Sequence, residues 1–181
     1  MERSSCLELI EKHVKSQHLK KHMLATEAVM RHLAGRFQED PELWGLTGLL
    51  HDLDVDLTSG NTAEHGNVTC RMLEAEGYPA ELLYAIKVHV EKEPAKSLMD
   101  KALYAVDPLT GFLVACALMT PGKKMAGVDL DFAKRRFKEK RFAAGASREQ
   151  MNTCETLGMT LDELMEAGLS AMKDISSELG L

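Results

Sequence analysis

Apolar residues recur at three- and four-residue spacing along nearly the whole chain, and no stretch keeps up the two-residue alternation of a half-buried strand. Leu7, Ile10 and Val14 share one face of a first helix, which Ser5 is placed to cap and which runs to about Lys15. A second stripe, with His22, Thr26, Val29 and Leu33, predicts a helix over about Lys20 to Phe37. Asp40-Pro41 opens a third that ends near His51, because Asp caps free amides and Pro loses nothing at the first helical position. The polar stretch 54 to 61 predicts a turn, after which Asn61 or Thr62 starts a fourth helix that Gly77 stops. Pro79 starts a fifth, to about Val90.

A long apolar helix follows over about Leu98 to Met119, which Pro108 and Gly111 are expected to bend or break and Pro121-Gly122 ends. Asp129 caps a basic amphipathic helix reaching about Arg141, Ser147 starts another that Gly158 stops, and Thr160 with Glu163 forms a capping box for the last. The pattern predicts an all-α fold, and 181 residues, 45% of them hydrophobic, suffice for a single domain with one ordinary core.

Composition narrows the function. With 22 Lys+Arg against 28 Asp+Glu, a formal charge of −6 and three Tyr, five Phe and one Trp, the chain lacks the charge and aromatic supply of a nucleic-acid-binding module. The charged start Met1-Glu2-Arg3 argues against a secretory signal, and the longest apolar run, Phe112 to Met119, is far short of the roughly 20 residues of a membrane span. Cys6, Cys70, Cys116 and Cys154 form no C-x-x-C pair and read as reduced, buried thiols. Together these features predict a cytoplasmic protein with no membrane partner.

Seven histidines are too many to share one role, so setting decides. His51-Asp52 ends the apolar run Leu46-Thr47-Gly48-Leu49-Leu50, where a core helix delivers two ligand-type side chains, although a histidine there also suits the helix dipole. Asp107 lies in the apolar run 102–109, where an ionised carboxylate needs a cation or hydrogen bonds to compensate; the competing reading is that it caps the helix piece beginning at Pro108. His22, His65 and His89 are further candidates, whereas His13, His18 and His32 read as surface or packing residues.

The order H…HD…H…H…D at 22, 51–52, 65, 89 and 107 resembles the HD superfamily of metal-dependent phosphohydrolases. Gly48-Leu49-Leu50-His51-Asp52 is similar to the family's GLLHD, and Tyr104 to Gly111 resembles its last motif. The resemblance spans about residues 20–120 and implies an HD-type helical bundle, with 121–181 as a C-terminal helical extension. It further implies that His22, His51, Asp52 and Asp107 hold one divalent transition metal, and that His65 and His89 hold a second with Asp52 bridging. Such a mixed nitrogen and oxygen set does not select among Fe, Mn, Zn, Co and Ni. Metals about 3.5 to 4 Å apart can activate water and hold phosphoryl oxygens, which makes Asp52 the central catalytic residue. Two departures stand out: Asp54 and Val55 replace the Gly and Lys of the family's His-Asp-Ile-Gly-Lys, and His89-Val90-Glu91 replaces His-His-Glu. Gly77-Tyr78-Pro79 precedes His89, unlike the HD-GYP subgroup, where the tripeptide follows the His-His-Glu motif.

The segment 123–141 holds Lys123, Lys124, Lys134, Arg135, Arg136, Lys138, Lys140 and Arg141 against Asp129, Asp131 and Glu139. It reads either as a solvated face or as a phosphate funnel, in which Lys123 and Lys124 serve as substrate-binding point charges. The expected function is hydrolysis of a small phosphorylated substrate, such as a nucleotide, by a metal-activated water. A non-catalytic metal-binding domain acting as ligand sensor or scaffold is the alternative, and di-iron oxygenase chemistry ranks below both.

Overall fold

The computed structural model describes residues 2–59 and 61–181, and every regular element among them is helical. Helix α1 (Arg3–His13) leads into α2 (Gln17–Phe37), then α3 (Pro41–Leu50), a single turn α4 (Val55–Thr58), α5 (Asn67–Ala75) and α6 (Ala80–His89). The long α7 (Leu98–Leu118) is followed by α8 (Leu130–Phe137), α9 (Arg148–Asn152), α10 (Leu161–Asp174) and α11 (Ser176–Leu179).

The expected caps at Asp40, Asp129, Ser147 and Thr160 each accept a backbone amide, and Thr160 with Glu163 completes a capping box. A second capping box, Ser97 with Asp100, opens α7. Other boundaries differ for identifiable reasons. Helix α1 begins at Arg3 rather than after Ser5, and Arg3 makes a two-pronged contact with the buried Glu27, at 2.6 and 2.8 Å. It stops at His13 because the amides of Lys15 and Ser16 turn to the Asp56 carboxylate, and Ser16 then caps α2. The turn expected over 54–61 contains α4; Gly60 lies outside the described residues. Helix α5 starts at Asn67, not Asn61 or Thr62, because the Asn61 side chain holds the Ala63 amide and Gly66, at φ 78°, interrupts the helix. The basic helix ends at Phe137 rather than Arg141, where Arg148 gathers the carbonyls of Phe142, Ala143 and Ala146 and holds the turns between.

Helix α7 corrects the expected break at Pro108 and Gly111: it runs unbroken from Leu98 to Leu118. Pro108 removes one helix hydrogen bond, but Leu103, Val106, Leu109, Phe112 and Leu113 bury fully on either side, and tertiary packing outweighs one lost bond. Helix α7 is long and apolar enough to cross a membrane, yet 61% of its most apolar window is buried against the other helices.

Two apolar clusters make the core. The larger surrounds α7 with residues from α2 and from the C-terminal helices, such as Met30, Leu33, Leu164, Met165 and Met172. The smaller lies among α1, α3, α5 and α6, around Ile10, Leu49, Leu50, Leu53, Leu73 and Ile86. All four cysteines are buried and free, as the sequence predicts. Helices α3 and α7 each pack against both α2 and α6, which makes a four-helix junction.

Candidate metal centre

Six side chains from widely separated segments meet at that junction. His22 comes from the second turn of α2, His51 and Asp52 directly follow α3, His65 precedes α5, His89 ends α6 and Asp107 lies mid-way along α7. The two oxygens of Asp52 sort the imidazoles. Oδ2 lies 3.5 Å from His22 Nε2 and 3.4 Å from His51 Nε2, while Oδ1 lies 3.4 Å from both His65 Nε2 and His89 Nε2. Asp107 Oδ1 joins the first pair, at 3.1 Å from His22 Nε2 and 3.7 Å from His51 Nε2. The potential ligand atoms of His22, His51 and Asp107 all lie within 4.8 Å of one another, as do those of His51, Asp52 and His89; His65 joins through Asp52 Oδ1.

Each imidazole has its other nitrogen occupied. His51 Nδ1 donates to the Gly48 carbonyl at 2.7 Å and His89 Nδ1 to the Ile86 carbonyl at 2.5 Å, both three residues back in their own helices. His65 Nδ1 donates to Asp54 Oδ1 at 2.7 Å, and Asp54 Oδ2 accepts the Thr69 amide at 2.8 Å. His22 Nδ1 lies 2.9 Å from the Thr110 hydroxyl, whose own proton goes to the Asp107 carbonyl at 3.0 Å, so the hydroxyl accepts from the ring. These contacts fix the proton on Nδ1 and aim every Nε2 lone pair inward, the second-layer arrangement that orients metal-ligating histidines.

The donor set fits a divalent metal. His89 Nε2 is buried with no hydrogen-bond partner, an orphan that a cation would satisfy. His22 Nε2 and His51 Nε2 stand 3.1 Å apart, where two lone pairs repel unless a proton or a metal ion intervenes. In the metal-free protein a proton takes that part. Burial disfavours charge on His22, but hydrogen bonds to Asp107 and Asp52 prevail and raise its pKa from 6.5 to about 10. Burial likewise opposes charge on Asp52 and Asp107, yet the surrounding imidazoles hold both carboxyls well below the usual range. His65 is raised by Asp54, and Asp54 is lowered by His65 and the Thr69 amide against the effect of its burial.

These shifts predict opposite pH behaviour with and without metal. The folded pKa of His22 exceeds its unfolded value, so its contribution to metal-free stability is full below about pH 6.5 and is lost as pH rises through about 10. The melting temperature of chelator-treated protein should fall across that window. Metal needs the deprotonated imidazole, so the metal-loaded protein should hold or gain stability over the same range. Thermal melts from pH 6.5 to 10, with and without added metal, check this; parallel curves would remove His22 from the ligand set.

Side-chain exposure marks the open side of the centre. His51 is fully buried and His89 2% exposed, against 24% for His65 and 29% for Asp107. Lys123 and Lys124 lie in the turn that follows α7. Their turn is tied to Thr120, beyond the end of α7, and Asp107 lies about 16 Å back along the helix at 1.5 Å per residue. Two of the eight basic residues are engaged elsewhere: Lys134 pairs with Asp162, Arg136 with Glu139, and the Arg136 guanidinium stacks on Phe132 and Phe142.

Three functional neighbours escaped the sequence reading. Asp54 and Thr110 hold His65 and His22, and the ammonium of Lys92 pins the His65 turn through the carbonyls of Ala63 and His65. Asp54 stood in plain view as a departure from the family pattern; its acidic character two residues after Asp52 was the available signal.

Residues 19–118, more than half of the chain, match the HD domain family. The chain belongs to the HD domain family. A ribonuclease Y from Desulfotalea psychrophila is 27% identical over 95 residues, which cover 52% of this chain and 18% of that protein. This chain therefore spans about a fifth of that relative's length. No solved structure matches it. The matched segment contains all six residues of the cluster and reaches the last residue of α7.

Proposed function

We propose that this HD domain is a metal-dependent phosphohydrolase that cleaves a small phosphate ester with an activated water. The observation that carries the reading is the division of four Nε2 atoms between the two oxygens of one carboxylate, with Asp107 completing the His22 and His51 side. His22, His51, Asp52 and Asp107 would hold one divalent metal, and His65, His89 and Asp52 a second. Metal bound there supplies Lewis acidity, which acidifies water and draws charge from a phosphoryl group. The chain's own part is rigidity. Two backbone carbonyls, Thr110 and Asp54 stop the rings from turning, and Asp52 keeps its charge between the two sets. The relative named as a ribonuclease supports hydrolysis at phosphorus as the reaction type.

The test is purification without chelator, elemental analysis, and a panel of phosphate monoesters, nucleotides and an RNA oligonucleotide. Two transition metals per chain with phosphate release support the dinuclear hydrolase, and one metal with release assigns the chemistry to the His22 side. Metal with no turnover of any phosphate compound favours the sensor or scaffold, and iron with oxygen uptake favours the oxygenase. No metal after reconstitution overturns the ligand assignment.

A further inference from the structure

A cavity of about 410 Å³ begins at His22 and follows α7 away from the metal centre, within the size range of small-molecule sites. Its walls include Gly111, Val114 and Leu118 of α7, with Leu179 and Leu181 from the C-terminal end of the chain opposite. Resting on the phosphohydrolase reading, we propose that this cavity receives the organic part of the substrate, and that this part is apolar, an alkyl or aryl group rather than a nucleoside.

Three observations carry the proposal. The first is continuity: His22 belongs both to the metal cluster and to the cavity wall, and Gly111 lies one helical turn beyond Asp107. A phosphate held at the cluster can therefore place its ester group directly in the cavity.

The second is Gly111 itself. Glycine destabilises a helix interior relative to alanine, and here no positive φ requires it. A Cβ built at Gly111 meets no atom within 4 Å, so packing does not require it either. What its absence preserves is open space at the cavity wall, one turn from Asp107.

The third is the polar inventory. Apart from His22, the side chains on the wall able to form hydrogen bonds are His18 and Lys21. A nucleobase would leave most of its donors and acceptors unpaired there, whereas an alkyl or aryl group loses nothing. Lys21, the residue before His22, has its ammonium 3.0 Å from where a Cβ on Gly180 would stand, and gives this apolar wall a positive charge. That combination matches an amphipathic anion.

The experiment is calorimetric titration of the metal-loaded full chain with methylphosphonate, hexylphosphonate and adenosine monophosphate, beside phosphate release from hexyl phosphate. Each buried methylene is worth about a three- to fourfold gain, so hexylphosphonate, with five more methylenes, should bind about 200- to 1,000-fold tighter than methylphosphonate. Gly111→Leu should bring that ratio close to one while raising the melting temperature, since leucine favours helix. Val114→Phe, which narrows the cavity from the next turn, is the second variant should Gly111→Leu misfold. A wild-type ratio near one, a ratio that survives both fillings, or tighter binding of the nucleotide than of hexylphosphonate overturns the proposal. A strong chain-length ratio with no phosphate released from any ester supports the cavity assignment while sinking the hydrolase reading. Phosphate release without chain-length dependence does the reverse.

Discussion

Asp52→Ala should leave less than a tenth of a metal per chain and reduce phosphate release on the order of a thousandfold or more, the scale of several kcal/mol of lost charge stabilisation. The expectation follows from geometry more than from the family pattern. Asp52 faces all four imidazoles, two through each oxygen, so its removal takes a ligand from both halves together. It also deprives the His22 imidazolium of one of its two carboxylate partners. Asp52→Asn separates charge from shape: it keeps one oxygen acceptor but loses the anion, and should bind metal only weakly. Asp56→Ala is the matched control, because that carboxylate accepts the Lys15 and Ser16 amides on the exposed side of the same segment. It should lower stability slightly and leave metal content alone. Elemental analysis of the three proteins, with circular dichroism to confirm helix content, decides the matter. Wild-type metal in Asp52→Ala would displace the centre from this cluster.

How much of this was legible beforehand depended on whether the deciding contact was local. Caps such as Asp40, Ser147 and Thr160 act within three residues, so local sequence carries them in full. The six cluster residues were legible as a set of types in order, and His51 carried an additional local signal. A histidine ending an apolar helix can bond the carbonyl three residues back, as His51 does to Gly48 and His89 to Ile86. Helix α5 was misplaced because its start is set by Gly66 and by the Asp54 contact to His65, eleven residues away. Thr110 was invisible for the same reason, lying 88 residues from the ring it holds. Pro108 misled because its lost bond is a local cost, whereas the burial that outweighs it is tertiary. Lys123 and Lys124 follow the helix that supplies Asp107 in sequence, but that helix continues for three more turns before reaching them.

Gly48→Ala should destabilise the protein by about 1 to 2 kcal/mol and weaken metal binding about 10- to 100-fold, although alanine is the better helix former. A Cβ at Gly48 would stand 2.8 Å from the Thr26 carbonyl oxygen, 2.9 Å from its carbon and 3.0 Å from Met30 Cγ. Two of these are backbone atoms of α2, which cannot swing aside, so α2 and α3 have to separate. Overpacking of this kind costs about 1 to 3 kcal/mol and exceeds the gain of up to about 1 kcal/mol from replacing a helical glycine. The metal effect follows because the contact is bonded to the site on both sides. Thr26 donates to the His22 carbonyl on α2, and the Gly48 carbonyl receives His51 Nδ1 on α3, so the separation moves both rings. Gly35→Ala gives the opposite sign, because a Cβ there meets nothing within 4 Å and the exposed helix should gain about 0.5 to 1 kcal/mol. Urea unfolding of metal-free protein measures the two stabilities, and competition with a chromophoric chelator measures the affinities. Gly48→Ala as stable as Gly35→Ala would mean that the two helices tolerate a wider spacing. Destabilisation with unchanged metal affinity would mean that the rings are held by their Nδ1 partners alone, independent of how closely α2 and α3 approach.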